Sequence, residues 1–334
     1  MIEKKVKLSL LYELENLHHV VVQAADVGSK YVYALQLLHK QNDIIVYRTE
    51  PEGKHALFDE NAPILYLNGP ASGGTAGGHT QTWVYSGEKD RWLVGTKPKK
   101  KGNSLYWTTQ IARVDLANGS QTINNNTDLP RLSYLNRAGS GYNNDATVYP
   151  GSNLERVEAA VSPDYSKLLI ATISYDHTGY FALYDMNEVN RALDAAEAEA
   201  EDVNIQNLQC LGAFTIPDFN SKLIPSIQGY DIDENNNVYI SCQPGPSTNI
   251  LGMPKEGKPR QIVKIPWGST DPNEWEVANL NHCLEIDALG YATEFESIHV
   301  KDSKNIYLTI AYHSKTDGLT TLMNRIYKIN GFND

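Results

Sequence analysis

The chain has 334 residues, 41% of them hydrophobic and 21% charged, and a net charge of −11. That is the composition of a folded globular protein with room for a large core. A polyanion repels nucleic acid and anionic lipid, so neither is expected as a partner. Three cysteines, Cys210, Cys242 and Cys283, with no C-x-x-C spacing, argue against a disulfide framework and a structural zinc site.

The opening MIEKKVKLSLLYELE has a basic start but neither the long apolar core nor the small-residue cleavage site of a signal peptide, and it reads as a strand. No apolar run reaches the length that spans a bilayer. Five stretches then share one pattern: VVQAADVGSKYVYALQL from Val21, HTQTWVYSGEKDRWLVGTKP from His79, RVEAAVSPDYSKLLIATISY from Arg156, SIQGYDIDENNNVYISCQ from Ser226 and EFESIHVKDSKNIYLTIAYHS from Glu294. Each holds a short strand, a polar turn and a second, nearly continuous apolar strand. A third strand follows in every case: DIIVYRT from Asp43, QIARVDL from Gln110, GYFALYDM from Gly179, RQIVKIPW from Arg260 and NRIYKING from Asn324. A weaker fourth strand, such as LQCLGAFTIP from Leu208, precedes the next unit.

Four antiparallel strands repeated five times predict an all-β fold, a five-bladed β-propeller spanning 1–334 as a single domain. The second strands, apolar on both sides, suit sheets sandwiched between neighbouring blades. The chain ends after a third strand, so VKLSLLYELE is expected to complete the last blade and hide a sheet edge. The basic run Lys97-Pro98-Lys99-Lys100-Lys101 reads as an exposed hairpin tip. Met186 to Asp202, MNEVNRALDAAEAEAED, is rich in Ala, Glu and Leu and reads as an inserted surface helix near 186–202. Segments 117–155 and 244–259, rich in Asn, Gly, Ser and Pro, read as loops.

Every unit carries Gln or Glu at the same place in its first strand: Gln23, Gln81, Glu158, Gln228 and Glu296, spaced 58, 77, 70 and 68 residues apart. First strands line a propeller's axis, so these five are expected to form a polar ring there. Three amides can satisfy two carboxylates with nothing bound. The same groups also suit a polar ligand or a hard cation such as Ca²⁺; otherwise no cofactor is expected.

Other motifs carry less. DIDENNN, Asp231 to Asn237, lacks the Gly and the terminal Glu of a calcium loop and reads as a hairpin turn. GGTAGGHT, Gly73 to Thr80, lacks the Lys of a phosphate loop and suits a tight backbone turn. No H-E-x-x-H or G-x-S-x-G occurs, and no spacing supports a triad on His313 and Ser314. His79, Arg131, Tyr134, Arg137 and His313 are candidates for binding from surface loops, since Arg and Tyr grip sugars or peptides by stacking and hydrogen bonding. Tyrosine, 20 residues in all, mildly favours a carbohydrate-facing surface.

GSKYVYALQL, GGHTQTW, QIARVDL, PRLSYLNRAGS, EAAVSPDYSKLLIAT, SIQGYDID, RQIVKIP and YLTIAYHSK, in that order from about Val27 to Ile329, resemble the helveticin J family of large heat-labile bacteriocins of lactic acid bacteria. The resemblance implies a secreted or cell-surface antibacterial protein directed at related Gram-positive bacteria. The expected partner is an envelope component, whether glycan, teichoic acid or surface protein. It transfers no catalytic residues. Segments 138–155 and 186–207 and the N-terminal region depart most from the family pattern. Two further readings stay open: a wall hydrolase or lyase using Glu158 or Glu296 as acid or base, and an S-layer-associated adhesin.

Overall fold

The computed structural model describes residues 1–101, 105–142, 148–250 and 252–332. Five sheets form the five blades of a β-propeller arrangement. Their inner strands are Val22–Val27, Trp83–Tyr85, Leu154–Val161, Ile227–Ile232 and Tyr291–Asp302. Second strands run Val32–Leu38, Arg91–Lys101, Lys167–Ser174, Val238–Cys242 and Asn305–Ser314. Val238–Cys242 is buried throughout, and Val32–Leu38 and Lys167–Ser174 at all but one residue, as expected for strands covered on both faces.

Third strands are Asp43–Thr49, Leu105–Asp115, Gly179–Asp185, Gln261–Ile265 and Thr321–Asn330. Leu65–Leu67, Arg131–Ser133, Cys210–Ile216 and Glu276–Asn279 are fourth strands of the first four blades. The fifth blade takes its fourth strand from the N-terminus. Lys7–Glu15 lies antiparallel to Thr321–Asn330, with Leu8 opposite Ile329 and Leu14 opposite Asn324. This is the closure read from the sequence.

Four sheets gain a fifth strand that the sequence reading missed, each added in parallel. Ile2–Glu3 pairs with Glu276–Asn279, and His55–Leu57 with Lys7–Glu15. Gln121–Ile123 pairs with Leu65–Leu67, and Asp202–Asn204 with Arg131–Ser133. Segment 117–155 is therefore not all loop: it supplies two strands of three residues. Segment 244–259 holds a small hairpin of Ser247–Thr248 with Pro254–Lys255. Strands this short show no readable alternation.

The helix runs Met186–Glu197, ending sooner than expected because the chain turns into the Asp202–Asn204 strand. Asp185 caps it, accepting from the Glu188 amide at 2.9 Å. Met186, Val189, Asn190, Leu193 and Ala196 form its buried stripe. Arg113, almost wholly buried, holds the flank of this stripe through Asp194 at 2.7 Å and Glu197 at 3.0 Å. In DIDENNN the expected turn forms: Asp233 Oδ1 accepts from the Asn235 and Asn237 amides, while Asn236 takes φ 66°.

The chain folds into two compact units, residues 1–36, 47–63 and 224–334 in one, 37–46 and 64–223 in the other. The first has a core of Leu8, Tyr239, Phe295, Ile298, Ile306, Ile310, Tyr312 and Phe332 among others. The second packs Leu93, Ile111, Leu132, Val157, Leu168, Ile170 and Leu193.

Candidate functional site

In the second unit, the residues leading into the inner strand Trp83–Tyr85 meet the inner strand Leu154–Val161. Glu158 is the hub. Its Oε2 accepts from the Thr82 hydroxyl at 2.6 Å, the Gln81 amide at 3.1 Å and the Thr80 hydroxyl at 3.3 Å. Thr82 Oγ1 in turn accepts from the Ala159 amide at 2.9 Å. Arg156 Nη2 donates to Gln81 Oε1 at 2.7 Å and lies 3.4 Å from Glu158 Oε1. The guanidinium sits 4.0 Å from the Trp107 ring centre, and His79 packs on the same indole at 4.0 Å. Gly95 makes room for this: a Cβ there would stand 2.2 Å from Thr80 Oγ1 and 2.5 Å from Thr108 Oγ1.

Burial pushes the Glu158 carboxyl up, opposed by Arg156 and the three donors. Burial, reinforced by Arg156, pushes His79 down to about 3. His79 therefore stays neutral at every ordinary pH. Its folded value lies below its unfolded one, so the stability it contributes is full above about 6.5 and is lost as pH falls toward 3. In urea melts between pH 4 and 7, His79→Phe is expected to flatten the acid side of the stability profile by up to about 1.4 kcal/mol per pH unit. Identical slopes for the two proteins would contradict this. Glu158, Asp26 and Asp231, all raised by burial, act in the opposite direction in both proteins.

In the first unit the inner strands of blades 1, 4 and 5 are tied by their own side chains. The Ala25 amide donates to Ser297 Oγ at 3.0 Å, and the Val300 amide to Asp231 Oδ2 at 2.6 Å. The Gly229 amide donates to Ser241 Oγ, whose hydroxyl donates to the Glu296 carbonyl. Gln23 and Glu296 are buried on these strands. Gln228, half-buried, donates to the Gln243 carbonyl at 3.1 Å. Three residues beyond the predicted polar position come Asp26, Asp231 and His299, and Asp26 Oδ2 lies 3.2 Å from His299 Nδ1.

Gln81 and Glu158 thus share one network in the second unit, while Gln23, Gln228 and Glu296 occupy inner strands of the first. Glu158 suits a calcium ion poorly. One of its oxygens is filled by three donors and the other faces a guanidinium, which repels a cation.

Three of the five surface-loop candidates are not on surface loops. His79 is buried against Trp107. Arg131 lies inside a fourth strand, its Nη1 donating to the carbonyls of Leu129 at 3.1 Å and Ala200 at 2.7 Å. His313 ends a second strand, buried, with Nε2 2.9 Å from Glu294 Oε2. Arg137 donates to the Tyr149 hydroxyl at 2.9 Å and covers that ring. Arg137 and Tyr134 are both exposed, and Tyr134, 57% exposed, takes a left-handed conformation with φ 55°. Residues 143–145, the end of the loop containing these groups, lie outside the described residues.

Tyr134 stands on the rim of a cavity of about 390 Å³ in the second unit. Lys97, Thr109, Gln110, Asn126, Thr127, Arg131 and Asp202 line it. Asn126 Nδ2 donates to Gln110 Oε1 at 2.9 Å, which fixes both amides. The lining offers hydroxyls, amides, both signs of charge and one aromatic face. Sequence reading found Arg131 and Tyr134 but missed Lys97, Gln110, Asn126 and Asp202, which only strand pairing brings together.

Among solved structures, the chain is similar to the α-L-arabinofuranosidase PaAbf62A from Podospora anserina, at 9% identity and a TM-score of 0.44 over 98% of this chain and 96% of that one. A GH62 hydrolase in complex with xylotriose matches at 10% identity and a TM-score of 0.42, over 96% of each chain. Likeness at this level carries no argument about activity. Among the described residues no helix is long and apolar enough to cross a membrane. At the sequence level the chain is 38% identical to bacteriocin helveticin-J of Lactobacillus helveticus over 97% of its own length and 96% of that protein's. The family described as bacteriocin helveticin-J matches residues 3–333, and with these two agreements across almost its whole length the chain belongs to that family.

Proposed function

We propose that this chain is an antibacterial protein acting outside the producing cell, and that it recognises a glycan or teichoic acid of a related bacterium's envelope through the cavity beside Tyr134. The observation that carries the reading is the exposed Tyr134, held in a left-handed backbone conformation among the mostly polar residues that line the cavity. An aromatic face suits the apolar side of a sugar ring, while amides and hydroxyls suit its hydroxyls. Lys97 suits a phosphate in the polymer. A non-enzymatic reading is supported by the engagement of Glu158, whose carboxylate is taken up by protein donors and Arg156.

Tyr134→Ala and Lys97→Ala are each expected to weaken binding of labelled protein to purified walls of a sensitive strain about tenfold, near 1.4 kcal/mol. Both variants should melt as the parent protein does, since neither side chain belongs to a core cluster. Soluble wall glycan or teichoic acid should compete. Undiminished wall binding by both variants would remove this cavity from the account. Labelling of sensitive and resistant cells alike, with no killing, would move the reading to an adhesin.

A further inference from the structure

The N-terminal strand Lys7–Glu15 lies between two partners of the first unit: Thr321–Asn330 on one side and the parallel His55–Leu57 on the other. A strand sends residues two apart to the same face. Glu13 and Glu15 therefore project together, and the parallel register sets Glu13 opposite His55. One ligand atom from each of Glu13, Glu15 and His55 lies within 4.8 Å of the other two. His55 Nδ1 is 2.7 Å from Glu15 Oε1. Glu13 Oε1 receives a bond from Arg325 Nη2 at 2.7 Å, which orients the carboxylate and leaves its Oε2 to other partners. Glu13, Glu15 and Glu52 all bear on the one imidazole electrostatically. Glu13 and Glu15 border a cavity of about 630 Å³ whose wall also carries His18 and Glu60, 3.9 Å apart.

We propose that Glu13, Glu15 and His55 form a site for a divalent transition metal of the zinc class. An imidazole between two carboxylates is a zinc donor set; calcium and magnesium take oxygen ligands alone. The metal takes the place of the proton between His55 Nδ1 and Glu15 Oε1, that proton passing to solvent, and Glu15 with the free Oε2 of Glu13 offsets most of its charge while Arg325 stays on Oε1. Zinc ligands at 2.0–2.2 Å stand about 3.4 Å apart in a tetrahedron. The His55 side chain is 62% exposed and that of Glu15 41%, so both can open from 2.7 Å to that spacing by changing rotamer. Three protein ligands leave a fourth position for water. The metal would pin the N-terminal strand to the segment at His55 and, through Glu13 and Arg325, steady the last strand of the chain.

The test uses the full chain, dialysed against chelator, then titrated with ZnCl₂, CoCl₂ or CaCl₂. Zinc is expected to raise the melting temperature by several degrees, and cobalt to give a visible d–d absorption band with saturable, one-to-one stoichiometry. Calcium should do neither. His55→Ala should abolish both signals and Glu15→Gln should weaken them at least tenfold, each variant being compared with its own metal-free melt. Absence of the cobalt band in the parent protein would overturn the proposal. So would zinc stabilisation that survives unchanged in His55→Ala, since the metal would then sit elsewhere.

Discussion

A chain that starts at Asn16 is expected not to fold. Lys7–Glu15 pairs with the last strand over seven registered positions, from Lys7 with Asn330 to Leu14 with Asn324. Leu8 belongs to the core of the first unit, and Leu14 is equally buried. Burying two leucines is worth about 1.5–3 kcal/mol each, and each ladder hydrogen bond a further 0.5–1.5 kcal/mol. Together these approach the roughly 5–15 kcal/mol that holds a typical domain folded. Truncation also orphans His55–Leu57 and exposes an edge of the ten-residue strand Thr321–Asn330, an invitation to aggregate. Circular dichroism and light scattering of the truncated chain should show an aggregated product without a cooperative melt. A synthetic peptide of residues 1–15, added during refolding, should restore part of the native signal. A cooperative melt like that of the intact chain would refute the closure.

Glu158→Ala is expected to cost about 3–5 kcal/mol. Arg156, whose side chain is 4% exposed, would lose the Glu158 carboxylate that lies 3.4 Å from its Nη2. The Thr80 and Thr82 hydroxyls and the Gln81 amide would lose their common acceptor. Glu158→Gln keeps the shape and one acceptor and should cost less. Combining it with Arg156→Gln should cost less than the sum of the two single changes, because the interaction between them is then lost only once. Denaturant melts measure all of these. Near-additive losses would mean that the two side chains do not act as a pair. The same Gln variant, with Glu296→Gln, bears on mechanism: killing that persists per folded molecule supports recognition without hydrolysis, whereas its loss with wall binding intact would favour a wall-active enzyme.

The blades were legible because their long strands announce themselves. KLLIATI and NIYLTIAY are apolar on both sides and recur at constant distance from a Gln or Glu. The closure by VKLSLLYELE followed from counting: a final unit with three strands needs a fourth. What stayed hidden depends on pairing between distant segments. Gln121–Ile123 and Arg131–Ser133 are three residues long, too short for alternation to stand out from a polar stretch. His79 looks like a loop residue until Trp107, 28 positions later, is laid against it. Arg131 was a candidate because arginine grips sugars and peptides, yet its Nη1 is taken by two carbonyls, one of them 69 residues away. Glu13 and Glu15 are visibly alternate in LYELE, but their company with His55 exists only through a parallel strand pairing.

The parallel edge strands have a bearing on how such a chain can change over generations. Ile2–Glu3, His55–Leu57, Gln121–Ile123 and Asp202–Asn204 each finish a sheet other than the one built by their immediate sequence neighbours. A deletion or duplication of one whole repeat would carry off a piece that another repeat needs and leave its own border bare. Loss or gain of one whole repeat is thereby expected to cost more stability than a point substitution or a change in loop length.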